Sequence, residues 1–335
     1  MSRLRVTISV TVCLALLAVA AATVVAGGLP QSAGRVQAAA AWSSGWVSIA
    51  QGATVTLTHN MGGDVASYAV ELWFMDDGGA GLGINTRAYG GLEADGMFYG
   101  AAWQRLTPST VQVVRSRDDT YADKVLVRIH RPDPPVDYGS PWTAIQPGQA
   151  LAFTHNLGGD ADDLVAGIWF SGTVGINQRA LGGMEVAGPQ YGAYWDNLDA
   201  SRILVNRLPD DHFAQQVRVV VNRPDPPAFD SDWVDVAPGE SRTITHNLGG
   251  DPLSYLVRVE FKDTSVDGRG INHYGAGGIA LGTSLEGANW EKLTSSTIDV
   301  FRQPQDAAAD QVRVRIWVAQ AQSHRICLPL ALRNR

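Results

Sequence analysis

The stretch Thr58-His59-Asn60-Met61-Gly62-Gly63-Asp64 occurs three times in this chain. It returns as Thr154-His155-Asn156-Leu157-Gly158-Gly159-Asp160 and as Thr245-His246-Asn247-Leu248-Gly249-Gly250-Asp251. The histidines, at 59, 155 and 246, are 96 and 91 residues apart. That period is too long for a solenoid unit and suits a small domain. Each copy follows an alternating apolar run and ends in Gly-Gly-Asp, which reads as a β-strand entering a turn of positive φ. Whatever the chain folds into must build the same strand and turn three times.

Other columns align on these turns. Each copy opens with a tryptophan (Trp46, Trp142, Trp233) and has an apolar strand ending in Phe74, Phe170 or Phe261. A Gly-Ile-Asn step follows at Gly83-Ile84-Asn85, Gly175-Ile176-Asn177 and Gly270-Ile271-Asn272, then a Gly-Gly pair and a second tryptophan (Trp103, Trp195, Trp290). A strand closes on Arg115, Arg207 or Arg302, and the last strand opens at Val125, Val217 or Val312. Two copies end in a shared Arg-Pro-Asp-Pro-Pro linker at 131–135 and 223–227. Within the copies the apolar period is 2, as in Val55, Leu57 and His59 or Val111, Val113 and Arg115, with no amphipathic helix. The fold expected is all-β: three tandem antiparallel β-sandwich domains of about six strands each. The segments are 1–41 (export signal and linker), 42–135, 136–227 and 228–320 (the sandwiches) and 321–335 (an apolar tail). The stiff linkers suit either a ring about a pseudo-threefold axis, an intrachain pseudo-trimer, or three beads in a row; the ring is the expectation.

Charge narrows the partners. The 335 residues include only three lysines (Lys124, Lys262, Lys292) and carry a net charge of −7. Removing residues 1–38, with Arg3, Arg5 and Arg35 and no acid, would leave −7 − 3 = −10. Such a surface argues against nucleic acid or an anionic membrane as partner. Arg3 and Arg5 precede an uncharged run from Val6 to Ala26, an export signal with candidate cleavage sites at Ala20-Ala21-Ala22 and Val36-Gln37-Ala38. The run also approaches the length of a membrane anchor, so membrane contact is expected only if the leader is retained. Either way the rest is secreted or displayed at the cell surface. The two cysteines are Cys13 and Cys327, so a chain without its leader has one thiol and no internal disulfide.

Three rows of recurring residues bear on chemistry. In the turn, His59, Asn60 and Asp64, with His155, Asn156 and Asp160 and with His246, Asn247 and Asp251, read as structural residues whose side chains bond the turn backbone. The rival reading is three histidines gathered on an axis around one metal ion. No metal and no cofactor is expected. Arg115, Arg207 and Arg302 stand four residues before Asp119, Asp211 and Asp306, as for an ion pair across a hairpin, or else a donor fork for a ligand. The ligand-binding candidates are Asn85, Arg87, Asn177, Arg179, Asn272, His273 and Tyr274 on the Gly-Ile-Asn connections. Amide, guanidinium and aromatic groups on a glycine-rich loop suit sugar hydroxyls and the sugar C–H face. No nucleophile elbow, zinc-helix motif, phosphate loop or recurring pair of acids appears, so no catalytic residue is assigned and no enzyme is expected.

The order of features resembles the H-type lectin domain, most clearly in the final strand Val314-Arg315-Ile316-Trp317-Val318-Ala319, with His130 and Asn222 in the tryptophan column of the other copies. That resemblance spans most of 42–320 and implies a six-stranded antiparallel sandwich, trimeric assembly and sugar binding. The tail from His324 to Arg333 resembles the short terminal tail of many exported proteins of filamentous green bacteria. The function expected is therefore an exported, multivalent, lectin-like carbohydrate-binding protein, with glycans or a cell-surface component as partner. A structural or adhesive surface protein without a small-ligand site is the alternative.

Overall fold

Two kinds of strand build the molecule, and their burial differs. Thr54–Thr58, Ala150–Thr154 and Ser241–Thr245 expose alternate residues and bury Leu57, Phe153 and Ile244, so one face meets water. Ala69–Asp76 and Tyr255–Asp263 bury residues in near-continuous runs, so both of their faces are covered. A strand covered on both faces cannot belong to a free-standing sandwich with a wet outer surface. The computed structural model describes residues 41–319 except 80, 91, 95, 96, 132–135, 180, 186–189, 267, 278, 282 and 283. The expected export signal, Pro132-Asp133-Pro134-Pro135 of the first linker and the tail 321–335 with Cys327 lie outside the described residues.

Among the described residues there is no α-helix, only strands and three single-turn 3-10 helices, and none of these helices could cross a membrane. In the first copy Lys124–His130 pairs antiparallel with Ala69–Asp76, which pairs with Gly83–Asn85; the short strands Trp42–Ser43 and Val47–Ser48 lie on the other edge. A second sheet runs Thr54–Thr58, Thr110–Arg115, Ala101–Gln104. The other copies repeat both sheets with matching register. The second copy adds Gly182–Glu185 to its smaller sheet. The first and third have separate ribbons instead, Leu92–Ala94 with Met97–Tyr99 and Ile279–Leu281 with Ser284–Glu286.

The all-β antiparallel expectation stands. The expectation of three tandem sandwich domains does not: apart from the two ribbons, the described residues form six small antiparallel sheets, two per copy, in a six-bladed, propeller-like arrangement. The reason is that the copies share their interiors. The first core, around Phe74, Trp103 and Val113, takes in Trp169 of the second copy; the second takes in Ile271 of the third; the third takes in Trp73 and Leu126 of the first.

Backbone hydrogen bonds run around the same circuit. Leu106 N–H donates to Ile176 O (3.2 Å), Leu198 to Ile271 O (3.3 Å) and Leu293 back to Ile84 O (3.3 Å). Beside them Gln178 N–H donates to Trp103 O, His273 to Trp195 O and Thr86 to Trp290 O, at 3.0–3.2 Å. Each Gly-Ile-Asn strand is thus sewn to the tryptophan strand of a neighbouring copy, and the third copy closes on the first.

Closure has two measurable consequences. The chain should unfold in one calorimetric transition; three resolved transitions would show that the copies are independent. Gly277 tests the seam itself, since its φ is +96° and a Cβ there would lie 2.6 Å from Tyr89 N of the first copy. Gly277→Ala should cost about 2 kcal/mol through strain and contact, read as a lowered Tm.

Candidate ligand-binding site

The repeated turn is a joint. His59 Nδ1 accepts from Met61 N–H at 3.3 Å, as His155 does from Leu157 (3.2 Å) and His246 from Leu248 (3.3 Å). Each imidazole sits in its own copy against Trp42, Tyr138 or Phe229, and burial lowers the pKa of His59 and His246. Asn60, Asn156 and Asn247 take the positive φ (50°, 52°, 51°) that lets the strand turn. Asp64, Asp160 and Asp251 then cap the 3-10 turns Val65–Ser67, Ala161–Asp163 and Pro252–Ser254. These turns present carbonyls to a neighbouring copy. Arg128 donates to Leu253 O (2.9 Å), Arg315 to Asp162 O (3.1 Å) and Arg218 to Ala66 O, again in a circuit. Among the described residues no group of three or more His, Cys, Asp or Glu is placed to hold a metal ion.

The loop residues singled out from sequence lie at the seams. Asn85, Asn177 and Asn272 are fully buried. The Asn85 amide donates to Gly83 O (2.9 Å) and Tyr121 O (3.3 Å) and accepts from Arg87 N–H (2.9 Å), and the other two repeat the pattern. Their polar atoms are occupied by backbone. The Arg87 guanidinium lies over Tyr121 (5.1 Å) and, across the seam, Phe301 (5.3 Å), and burial lowers its pKa. Arg179 lies over Phe213 (4.6 Å) and reaches Gln104 of the first copy (3.5 Å). Tyr274 meets Tyr194 edge-on (4.7 Å) beneath Arg269 (3.9 Å). Arg115, Arg207 and Arg302 pair with Asp119, Asp211 and Asp306 at 2.9–3.0 Å, buried.

His273 alone of these candidates turns inward. It stacks on Trp195 (5.7 Å) and Phe261 (5.8 Å), and burial drives its pKa down to about 4, so it is neutral at pH 7. Its half-exposed face looks into a cavity of about 310 Å³ where the three copies meet. The walls are the strands Ala69–Asp76, Val165–Gly172 and Tyr255–Asp263, with their cross-strand partners beside them. Thr86, Tyr89 and Gln178 line it with His273, as do Trp73, Trp169, Trp195 and Trp290, and His130, Asn222 and Trp317 occupy one column of the wall. The Tyr89 hydroxyl donates to Gln178 Oε1 (2.6 Å), which fixes the amide.

In this wall the copies stop matching. One column holds Glu71, Gly167 and Arg258; the next on the same face holds Trp73, Trp169 and Glu260. Glu71 pairs with Arg128 (2.9 Å), whose guanidinium lies 3.9 Å over the Trp73 ring, and Glu260 pairs with Arg315. Burial works to raise the Glu71 carboxyl, but the charges of Arg128, His130 and Arg258 outweigh it and hold the pKa down to about 2. For Glu260 burial prevails and the pKa is raised despite Arg315. Sequence reasoning passed over these residues because it followed residues that recur, and this column does not.

No family model, curated protein or solved structure matches the chain.

Glu71→Gln should lower stability by about 3 kcal/mol at pH 7, because it strips a buried guanidinium of its counter-charge. Wild-type Glu71 falls from the ordinary 4.5 to about 2 on folding, so its contribution is complete above pH 4.5 and lost as pH drops toward 2. The stability gap between wild type and variant should therefore close over that window in acid denaturant titrations. A constant gap would mean that the carboxylate is not held by charge.

Proposed function

We propose that this is an exported, non-catalytic, lectin-like binding protein that holds a saccharide in the cavity where its three copies meet. The observation that carries the reading is the wall of that cavity. Trp73, Trp169, Trp195 and Trp290 stand on paired strands, beside hydroxyl, amide and imidazole groups of Thr86, Tyr89, Gln178 and His273 on the connections that leave the Gly-Ile-Asn strands. Rings accept the C–H face of a sugar, and the polar groups meet its hydroxyls. The volume of about 310 Å³ falls at the lower end of small-ligand sites and suits one or two sugar rings. The strand-mounted tryptophans lose little freedom on binding, which favours affinity at modest contact area. Export follows from the basic, then apolar leader, and the acid-rich, lysine-poor composition suits a soluble surface or secreted protein that does not bind nucleic acid.

A glycan array followed by calorimetric titration tests this. One saccharide per chain is expected, with binding abolished by Ala69→Trp, which fills the cavity from its wall. A stoichiometry of three, lost on Arg87→Ala with Arg179→Ala, would move the site to the seams. No glycan bound at all would leave the structural or adhesive reading.

A further inference from the structure

We propose that the ligand of this cavity is a sugar acid whose carboxylate is held by Arg258. The proposal rests on the saccharide reading above and narrows it to a chemical class. Of the four charged groups in the Glu71–Gly167–Arg258 column and its cross-strand partners, three are already matched. Glu71 faces Arg128 across the Ala69–Asp76 and Lys124–His130 pair, and the Arg315 beside Arg258 is taken by Glu260. Arg258 is the charge left over. It lines the cavity, is half-buried, and among the described residues neither accepts nor donates a side-chain hydrogen bond and forms no ion pair. Its charge is nonetheless felt by groups on two copies, Glu71 and Tyr89 of the first and Glu260 and His273 of the third, which places the guanidinium amid them.

The sum over the lining and its paired partners is positive: Glu71, Glu260 and Asp225 are outnumbered by Arg131, Arg223, Arg258, Arg128 and Arg315, leaving +2. His273 adds nothing at pH 7, and protonation of Glu260 would only make the balance more positive. A guanidinium in a low-dielectric enclosure is costly to leave unmatched, and a carboxylate satisfies its planar donor fork. Gly167 stands where the first copy has Glu71 and the third has Arg258, so the second copy contributes no side chain in that column. The aromatic rings and the Thr86 side chain are then left for the ring and hydroxyls of the ligand, the Gln178 amide being held by Tyr89, Trp103 and Ile168 O.

The test is calorimetric titration of the full chain with D-galacturonate and D-glucuronate, set against D-galactose, D-glucose and acetate. The acids should bind about tenfold or more tightly than the neutral sugars. Arg258→Gln should erase that preference, the acids then binding no more tightly than the neutral sugars. Arg258→Lys should restore part of the preference. Neutral sugars binding as tightly as the acids, or a preference that survives Arg258→Gln, would overturn the assignment and leave the saccharide reading intact. Acetate binding as tightly as the hexuronates would show that the ring is not recognised and would also overturn it. If neither sugars nor acids bind, the saccharide reading falls and this one with it.

Discussion

A three-residue edge strand looking for a partner governs this molecule. Gly83–Asn85 pairs on one side with Ala69–Asp76 of its own sheet, which leaves the backbone groups of its other side unmatched. Buried edges of that kind must be satisfied, and here a neighbouring copy supplies Trp290 O and Leu293 N–H. The same join occurs at the other two seams, so each copy lends one edge and borrows another. The neighbour's strand bends to meet it: Arg105, Asn197 and Lys292, one in each copy, take positive φ of 49°, 49° and 52°. Asparagine side chains lock the borrowed strand from behind. Three joins of this type leave no Gly-Ile-Asn strand with a free edge, and because the third copy joins back to the first the sheets form a ring and not a row.

The polar interior follows from the same joins. Bringing sheets together buries strand faces that would otherwise carry charge into water, and the chain answers with arginine far more than lysine. Arg115 is nearly inaccessible, yet it bonds Asp119 twice, Ile49 O and Asp123. Asp119 in turn accepts from Tyr121 and Ala122 N–H, although burial still raises its pKa. A planar fork with several fixed donors can satisfy carbonyls and carboxylates together, which a lysine ammonium does less well. Arg128, Arg218 and Arg315 use that geometry across the seams, each capturing a 3-10 carbonyl of another copy. The aspartate caps give the His-Asn-x-Gly-Gly-Asp turn two tasks: to end a strand, and to offer a carbonyl to the next copy.

The strands with one wet face were legible from alternation alone: threonines at 54, 56 and 58 against Val55 and Leu57 fix both the strand and its inner side. Ala69–Asp76 was legible as a strand but not as one covered twice, because a run such as Leu72-Trp73-Phe74 carries no sign of what covers its second face. That missing fact separates tandem sandwiches from the ring. The Gly-Ile-Asn rows are ambiguous for a related reason. Glycine beside a polar residue, repeated, marks a place where backbone must come close to something; a ligand and a neighbouring copy leave the same mark in a sequence. Asn85 with its amide spent on Gly83, Tyr121 and Arg87 belongs to the second case.

Recurrence was a good guide to the scaffold and a poor one to the cavity, and electrostatics explains the difference. Residues near a threefold axis meet their own equivalents. Three arginines or three glutamates there would face one another in a medium of low dielectric, where like charges repel by several kcal/mol per pair. A repeated chain can avoid this by making such positions apolar or by letting the copies diverge. Here they diverge, to Glu71, Gly167 and Arg258, and again to Trp73, Trp169 and Glu260. Divergence relieves the repulsion and gives the cavity a direction, with an unmatched positive group on one wall and open space on another. A ligand without threefold symmetry has a single preferred orientation only in a cavity of that kind. Under the saccharide reading proposed above, the positions at which the three copies disagree are where selectivity would reside, while those at which they agree hold the ring together.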